Sequence, residues 1–249
     1  MKTLLRFFFR LLYHQFAFTY DLVAASVSFN RWKSWVMSVM PFIEGTRILE
    51  MGHGPGHLQR ILRTLRQGSG PGRNLTVVGI DESAQMGHLA KRNLRRGIVS
   101  NLAITSLSPN SLPPRNAYTQ INLTRGLAQA LPFPEEAFDT IVATFPTEYI
   151  TDPATLAEVK RCLARGGRLV VLPVALPKNP FLDWLFRVTH QSPAEALEIV
   201  QSKLQEPFVE AGFITEIKTL DVKSGTLLIV LGTKEAHEFS QKHPKINQR

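Results

Sequence analysis

Residues 46–56, TRILEMGHGPG, constrain this chain more than any other stretch. Positions 46–51 read as a short apolar strand with an acid, Glu50, near its end, and Gly52, Gly54 and Gly56 follow at alternate positions. A helical pattern then begins, with Leu58, Ile61, Leu62 and Leu65 on one face of 57–66. A glycine turn between strand and helix lets the backbone approach a bound molecule closely, because no Cβ intervenes and glycine takes positive φ readily. The helix amino terminus behind it offers free N–H groups and the positive end of a dipole. Together these features point to an α/β sheet with a ligand of the nucleotide or nucleoside class. The third glycine follows the second by two residues rather than three. That spacing departs from the dinucleotide fingerprint and argues against a nicotinamide-dependent dehydrogenase.

The rest of the chain continues the alternation. A loop signal at 68–74 precedes an apolar β-rich run at 75–80 that ends in Asp81, and a helix is expected over 84–96. Pro109, Pro113 and Pro114 mark an irregular excursion before a third strand near 118–123. A fourth strand at 138–143, a helix at 153–163, a turn at 164–167 and a fifth strand at 168–172 follow. Beyond a proline-marked connection at 173–180 come helical stretches at 181–189 and 193–211. Two strands at 214–220 and 226–232 then form an antiparallel pair at one sheet edge. The expected fold class is α/β: a doubly wound, Rossmann-like, mostly parallel seven-stranded sheet with an antiparallel edge strand and helices on both faces. The expected division is a helical lid region at 1–45, a ligand-binding domain at 46–234 and a polar tail at 235–249.

Two acids sharpen the ligand. Glu50, at the first strand end, puts a carboxylate where a cationic or amino-bearing group would sit. Asp81, at the second strand end, is placed to accept hydrogen bonds from both hydroxyls of a ribose. It also reads as a helix N-terminal acid, with Ser83 a competing cap.

The chain carries a formal net charge of +9, which draws attention to nucleic acid. Its basic residues are scattered, however: Lys91, Arg92, Arg95 and Arg96 share one expected helix, which reads as a solvated face, and others lie in the tail. The segment 1–29 is rich in Leu, Phe and Ala, but Arg6, Arg10, His14 and Asp21 interrupt it well short of the ~20 apolar residues of a membrane span. It reads as an amphipathic helix packed on the domain or as a peripheral membrane contact through Phe7, Phe8 and Phe9. Cys162 is the only cysteine, so no internal disulfide forms and a reducing, cytoplasmic setting is expected. No Cys/His cluster has zinc spacing, and no structural metal is expected.

Glu50–Gly56 resembles the first motif of the class I S-adenosylmethionine-dependent methyltransferases. Val78-Gly79-Ile80-Asp81-Glu82-Ser83 with Met86 is similar to their second strand, GLAQALPF at 126–133 with Phe138-Asp139 to the region around strands three and four, and RCLARGGR at 161–168 to the turn before strand five. Ala211-Gly212-Phe213 resembles the segment before their sixth strand, and Tyr20-Asp21 resembles the ubiquinone/menaquinone-biosynthesis-type branch. The match covers 16–234 with its motifs in the family's order. It implies S-adenosyl-L-methionine as cofactor, held by Tyr20, Glu50, Gly52, His53, Gly54, Gly56, Asp81, Glu82, Met86, Leu127, Ala128 and Phe145. Glu50 and the turn would take the amino-acid end, Asp81 the ribose, and the backbone of Leu127 and Ala128 the adenine. Leu127 stands where the family usually has an Asp that meets the adenine amine, and Arg165 where it has a Pro.

The resemblance places the methyl acceptor at Thr144–Tyr149, where Glu148 reads either as a general base or as a helix N-terminal acid. Positioning and water exclusion supply much of the rate in such a transfer, so no catalytic triad is required. Methyltransferases acting on exocyclic amines of bases often carry Asn/Asp-Pro-Pro-aromatic here, and its lack counts against nucleic acid. Tyr13, His14, Phe16, Phe18, Tyr20, Trp32 and Trp35, with 181–186 and His190, are candidates to line a lid over a small, hydrophobic acceptor; helical aromatics equally serve a core. The competing functions are a nucleic-acid methyltransferase and an inactive interaction module on the same fold.

Overall fold

In the computed structural model, the structure describes residues 34–68, 75–105, 122–177, 193–223 and 225–236. Seven strands form one sheet: β1 Arg47–Met51, β2 Thr76–Asp81, β3 Asn122–Arg125, β4 Phe138–Thr144, β5 Leu163–Pro177, β6 Ile214–Val222 and β7 Gly225–Thr233. The helices between them are α1 His57–Gly68, α2 Ala84–Thr105, α3 Pro153–Cys162 and α4 Pro193–Glu210. The strand order is β3-β2-β1-β4-β5-β7-β6. Strands β1 to β5 run parallel, and β7 pairs antiparallel with both β5 and β6. The antiparallel pair thus stands at one edge as expected, with β7 inserted next to β5 and β6 as the outermost strand.

The apolar runs are nearly continuous because helices cover both faces. Along β5, Leu169 and Val171 belong to one buried cluster with Leu156 and Val159 of α3, while Val170 and Leu172 belong to the other with Leu58 and Leu62 of α1. β1 divides the same way, Leu49 and Met51 to the first cluster and Ile48 to the second. Glu50 follows Ile48 at the strand period of two, which puts a carboxylate on the α1 face of the sheet.

Four boundaries differ from the sequence reading. Helix α2 runs through Gly97 to Thr105 instead of ending at 96, absorbing the cost of about 1 kcal/mol of one internal glycine. Strand β5 begins at Leu163, because Leu163 pairs with Phe138 before the register shifts to Thr140↔Arg168, so the turn at 164–167 is absorbed as an irregularity. The same strand continues to Pro177, and Pro173 falls at the register shift between Val171 and Val174, where a residue without an N–H does no harm. β3 is described over Asn122–Arg125, two residues beyond its expected end, and 118–121 lie outside the described residues. Also outside them are the expected N-terminal helix, the 181–189 helix and the tail from 237.

Candidate functional site

In this strand order the succession of strands runs outward one way from β1 and the other way from β4, so the crevice beyond the carboxyl ends of these two parallel strands is where an open α/β sheet takes a ligand. Met51 lies opposite Ala143 across that switch point. Gly52, Gly54 and Gly56 all have positive φ (65°, 49° and 80°), which curls the backbone back over the strand ends. Gly52 N–H donates to the Ile80 carbonyl at 2.8 Å, and a Cβ at Gly52 would sit 2.5 Å from the Tyr149 hydroxyl. Around Gly54 a Cβ would meet nothing within 4 Å, so the turn is open on that side. Asn93 of α2 donates to the Pro55 carbonyl at 3.1 Å and steadies the turn from behind.

Asp81 ties the first two strand ends together. One carboxylate oxygen accepts from Gly54 N–H at 2.8 Å and the other from Ser83 N–H at 2.8 Å. The residue therefore holds the turn that leads into α2 and fixes the glycine turn at once, while each oxygen keeps a lone pair for a further donor. Ser83 caps the same helix through a 3.2 Å bond from Met86 N–H, which sets Met86 at the rim. Gly126 N–H donates to the Asp81 carbonyl at 3.2 Å, bringing Leu127 and Ala128 alongside. Met86 and Leu127 are 39% and 47% exposed, two large apolar side chains beside the acid. Glu82 is exposed, and its carbonyl accepts from Arg125.

Glu50 is 2% exposed, and its Oε2 has no hydrogen-bond partner. Burial pushes its carboxyl up to about 8; the Asp81 charge adds to the rise, while hydrogen bonds from the side chain and backbone N–H of Gln59, and the Arg63 charge, oppose it. Gln59 also donates to the Val78 carbonyl at 3.2 Å. The Tyr149 hydroxyl donates to the Met51 carbonyl at 3.3 Å and is held above its ordinary range by burial and by the Asp81 and Glu50 charges. His53 is 3% exposed; its Nδ1 lies 2.8 Å from the Gly54 carbonyl, which makes Nδ1 the donor, and Nε2 is buried without a partner.

The structure thus brings Glu50, Gly52, His53, Gly54, Gly56 and Asp81 into one site, with Met86, Leu127 and Ala128 at its rim. Glu148 stands apart, exposed in the first turn of the 3-10 helix Glu148–Thr151. Phe145 directly follows β4 with φ of 50°, its ring half-buried and 6.3 Å from that of Trp35. Tyr20 lies outside the described residues. Gln59 and Arg63 carry no signal in the sequence, since their i, i+4 spacing reads as the solvent side of α1, and Tyr149 stands out there only as the end of the acceptor segment Thr144–Tyr149. A cleft of about 640 Å³ between α3 and α4 lies elsewhere. Its basic groups are engaged within the fold: Lys160 with the Ala211 and Gly212 carbonyls, Arg161 with Glu158, Lys234 with the Leu163 carbonyl.

The residues fit an adenosyl amino-acid ligand: an unpartnered buried carboxylate oxygen suits an ammonium, Asp81 suits ribose hydroxyls, and exposed Met86 and Leu127 suit a flat base. The ubiE/COQ5 methyltransferase family matches residues 9–192. The chain is 31% identical over 172 residues to the ubiquinone/menaquinone biosynthesis C-methyltransferase UbiE of Shewanella oneidensis, covering 67% of this chain and 59% of that protein. Over 255 residues it is 25% identical to the demethylmenaquinone methyltransferase of Symbiobacterium thermophilum, covering 90% of this chain and 92% of that protein. The fold is shared with an S-adenosylmethionine-dependent methyltransferase from Thermotoga maritima, at TM-score 0.51 and 19% identity over 90% of this chain and all of that one.

Proposed function

From the premise that this chain belongs to the ubiE/COQ5 methyltransferase family, with S-adenosylmethionine as its cofactor, we propose that it methylates a ring carbon of a small, apolar, reduced quinone. The observation that carries this reading is the Glu50 Oε2, buried and unpartnered beside a turn of positive-φ glycines that Asp81 holds. The acceptor class is suggested by the relatives named for ubiquinone, menaquinone and demethylmenaquinone methylation.

When bound, S-adenosylmethionine supplies a methyl group on a sulfonium centre, whose sulfur keeps both electrons of the broken C–S bond. The chain's part is then positioning. Glu50 takes the ammonium of the cofactor's amino-acid end, with His53 and the turn N–H groups around the carboxylate. Asp81 accepts the ribose hydroxyls, with Glu82 at its outer side. Met86, Leu127 and Ala128 enclose the adenine. Transfer to a ring carbon would leave that carbon with a proton to lose, and the chain's part there would be to accept it. Glu148, exposed after β4 and apart from the Glu50–Asp81 cluster, is the carboxylate proposed to take that proton, through water.

Among the described residues no helix is long and apolar enough to cross a membrane. We place the chain in the cytoplasm, with the apolar, basic segment 1–45 as a lid region that meets the membrane surface where such an acceptor dissolves, 46–234 as the catalytic domain and 235–249 as a tail.

Calorimetric titration with S-adenosylmethionine and S-adenosylhomocysteine, followed by label transfer to chemically reduced demethylmenaquinone, tests the reading. Micromolar binding with label in the quinone is expected. Binding without transfer to this acceptor or to any lipid extract would favour the inactive module, and a folded protein that binds neither ligand would end the methyltransferase reading.

A further inference from the structure

β6 is the last strand of the sheet, and among the described residues no strand pairs with its far side. A row of unpaired N–H and C=O groups is a template for another strand, and folds guard such an edge with short length, proline, bulges or charge. The first three guards are missing here. The nine residues of β6, ITEIKTLDV, contain no proline, and their register with β7 is unbroken from Ile214↔Thr233 to Val222↔Gly225. The charges on it, Glu216 and Lys218, have opposite signs and pair with each other along one face of the strand. Val222 faces Gly225 where the hairpin closes, so the even-numbered residues bond to β7, and Thr215, Ile217 and Thr219 turn their N–H and C=O groups outward. The Thr215 carbonyl agrees with this, since it accepts from the Gln205 side chain of α4 at 2.9 Å. Gln201 Nε2 likewise donates to Thr219 Oγ1 at 2.9 Å. Gln201, Gln205 and Val209 follow at intervals of four, so the stripe of α4 that lies over the edge carries no charge. Of the large apolar side chains exposed among the described residues, Met86 and Leu127 rim the ligand site, whereas Ile214 and Val209, at 60% and 51%, belong to this edge.

We propose that β6 pairs antiparallel with β6 of a second copy of this chain, about a two-fold axis at Ile217, and so joins two sheets into one. The order of side chains is self-complementary about that residue. Glu216 comes opposite the partner's Lys218, Thr215 opposite the partner's Thr219, and exposed Ile214 opposite the partner's Leu220. Each Glu216 then lies between its own Lys218 and the partner's, in a square of alternating charge. Ile217 bonds outward, so a two-fold placed there closes the hydrogen-bond ladder in the same register. Other registers fail on charge. A centre one residue away sets Glu216 against Glu216 or Lys218 against Lys218, and it presents groups already bonded to β7. A centre at Thr215 leaves Glu216 and Lys218 opposite Ile214 and Gly212, and one at Thr219 leaves them opposite Val222 and Leu220. The ligand crevice at β1 and β4 lies well inside each sheet, so both crevices stay open in the pair, facing opposite ways.

The test is the association state of the full chain, read by analytical ultracentrifugation across about 1–100 µM, the range in which a small interface forms and parts. Wild type is expected to pass from monomer to dimer within it, and the dimer to weaken as salt is raised, because the charge square is exposed. Lys218→Glu and Glu216→Lys each set like charges across the joint, and each is expected to weaken dimerisation by about tenfold or more. Mixing the two variants restores opposite charge at every facing position, and the mixed pair is expected to associate within about threefold of wild type. The mixture also answers for folding, since two variants that had lost the strand could not rescue each other. A wild type that stays monomeric throughout, its edge empty or covered by another part of its own chain, overturns the proposal. Single variants that dimerise like wild type would place the interface on another surface and overturn it too, as would a mixture that stays monomeric while wild type dimerises.

Discussion

The two ends of the parallel sheet hold their charges in opposite ways. At the amino end, Asp139 accepts hydrogen bonds from Thr46 N–H at 2.8 Å, Arg47 N–H at 2.9 Å and the Arg47 guanidinium. Burial alone would raise its carboxyl, yet these bonds hold it below the usual carboxylate range. Glu158 on α3 is likewise held low by Arg161, with Leu131 N–H as a further donor. At the carboxyl end, Glu50 is deeper and unmatched, raised by burial with one oxygen unpartnered, and Tyr149 and Asp81 crowd it with further negative charge or potential charge. The left-handed Phe145 belongs to this end too. One end is satisfied within the fold and therefore stabilises it; the other keeps a buried carboxylate oxygen without a partner.

The sharpest way to break that contrast is to remove one aspartate from each end. Asp81→Ala should weaken S-adenosylhomocysteine binding by about 1.5–3 kcal/mol, the range for charge-assisted hydrogen bonds, with a smaller loss of melting temperature. Asp139→Ala should do the reverse. It strands Thr46 and Arg47 N–H and the Arg47 guanidinium, at about 2–3 kcal/mol in unfolding free energy, with cofactor affinity within about twofold of wild type. Denaturant titration and calorimetry on both variants read the two axes. Equal losses on both axes in both variants would dissolve the distinction.

Much of this division was legible in the chain. The glycine turn, Glu50 and Asp81 stand out because strand ends and turns are local, set by a few adjacent residues. What escaped depends on pairing between distant segments. Tyr149 reaches the Met51 carbonyl across 98 positions, and nothing near Tyr149 in sequence says so. Gln59 and Arg63 look like the wet side of an amphipathic helix until Glu50 is found facing them on β1. The order β5-β7-β6 is likewise a matter of which edge the last strand joins, since either order buries the apolar run at 226–232 against a neighbour. The strain at Phe145 has no sequence signal, because phenylalanine carries no preference for positive φ.

The next effect in size sharpens the comparison through pH. Glu50 folds with a carboxyl near 8, against 4.5 for an ordinary one. Between those values the folded chain binds more protons than the unfolded chain, so stability falls as pH rises through the window, by at most about 1.4 kcal/mol per pH unit, and levels off above about 8. Glu50→Gln should flatten that slope in denaturant titrations from pH 5 to 8.5. Asp139 and Glu158 have the opposite sign: their stability is present above the unfolded carboxylate range and is lost only as acid protonates them. Ligand binding inverts the Glu50 term. An ammonium favours the ionised carboxylate, so S-adenosylhomocysteine affinity should climb about tenfold from pH 7 to its plateau, with a proton released on binding at pH 7. Calorimetry in two buffers of different ionisation heat measures that proton. A flat affinity with no proton release would mean that Glu50 never meets the ammonium.

The smallest expected effect is a gain. Leu127 is half exposed beside Asp81, at the position where the resemblance leads one to expect an acid for the adenine amine. A leucine there offers apolar contact but no acceptor, so the exocyclic amine must find water or a backbone carbonyl. Leu127→Asp supplies an acceptor to a neutral donor at a partly wet rim, which is worth about 0.5–1.5 kcal/mol, a few-fold to roughly tenfold in affinity for S-adenosylhomocysteine. The same substitution should leave binding of the inosine analogue, which has no amine, unchanged or weaker, because its carbonyl would face a carboxylate. That difference separates a hydrogen bond to the amine from a general effect of charge at the rim. If both ligands bind Leu127→Asp equally well, adenine does not lie against residue 127, and the base must be sought nearer Met86 on the other side of Asp81.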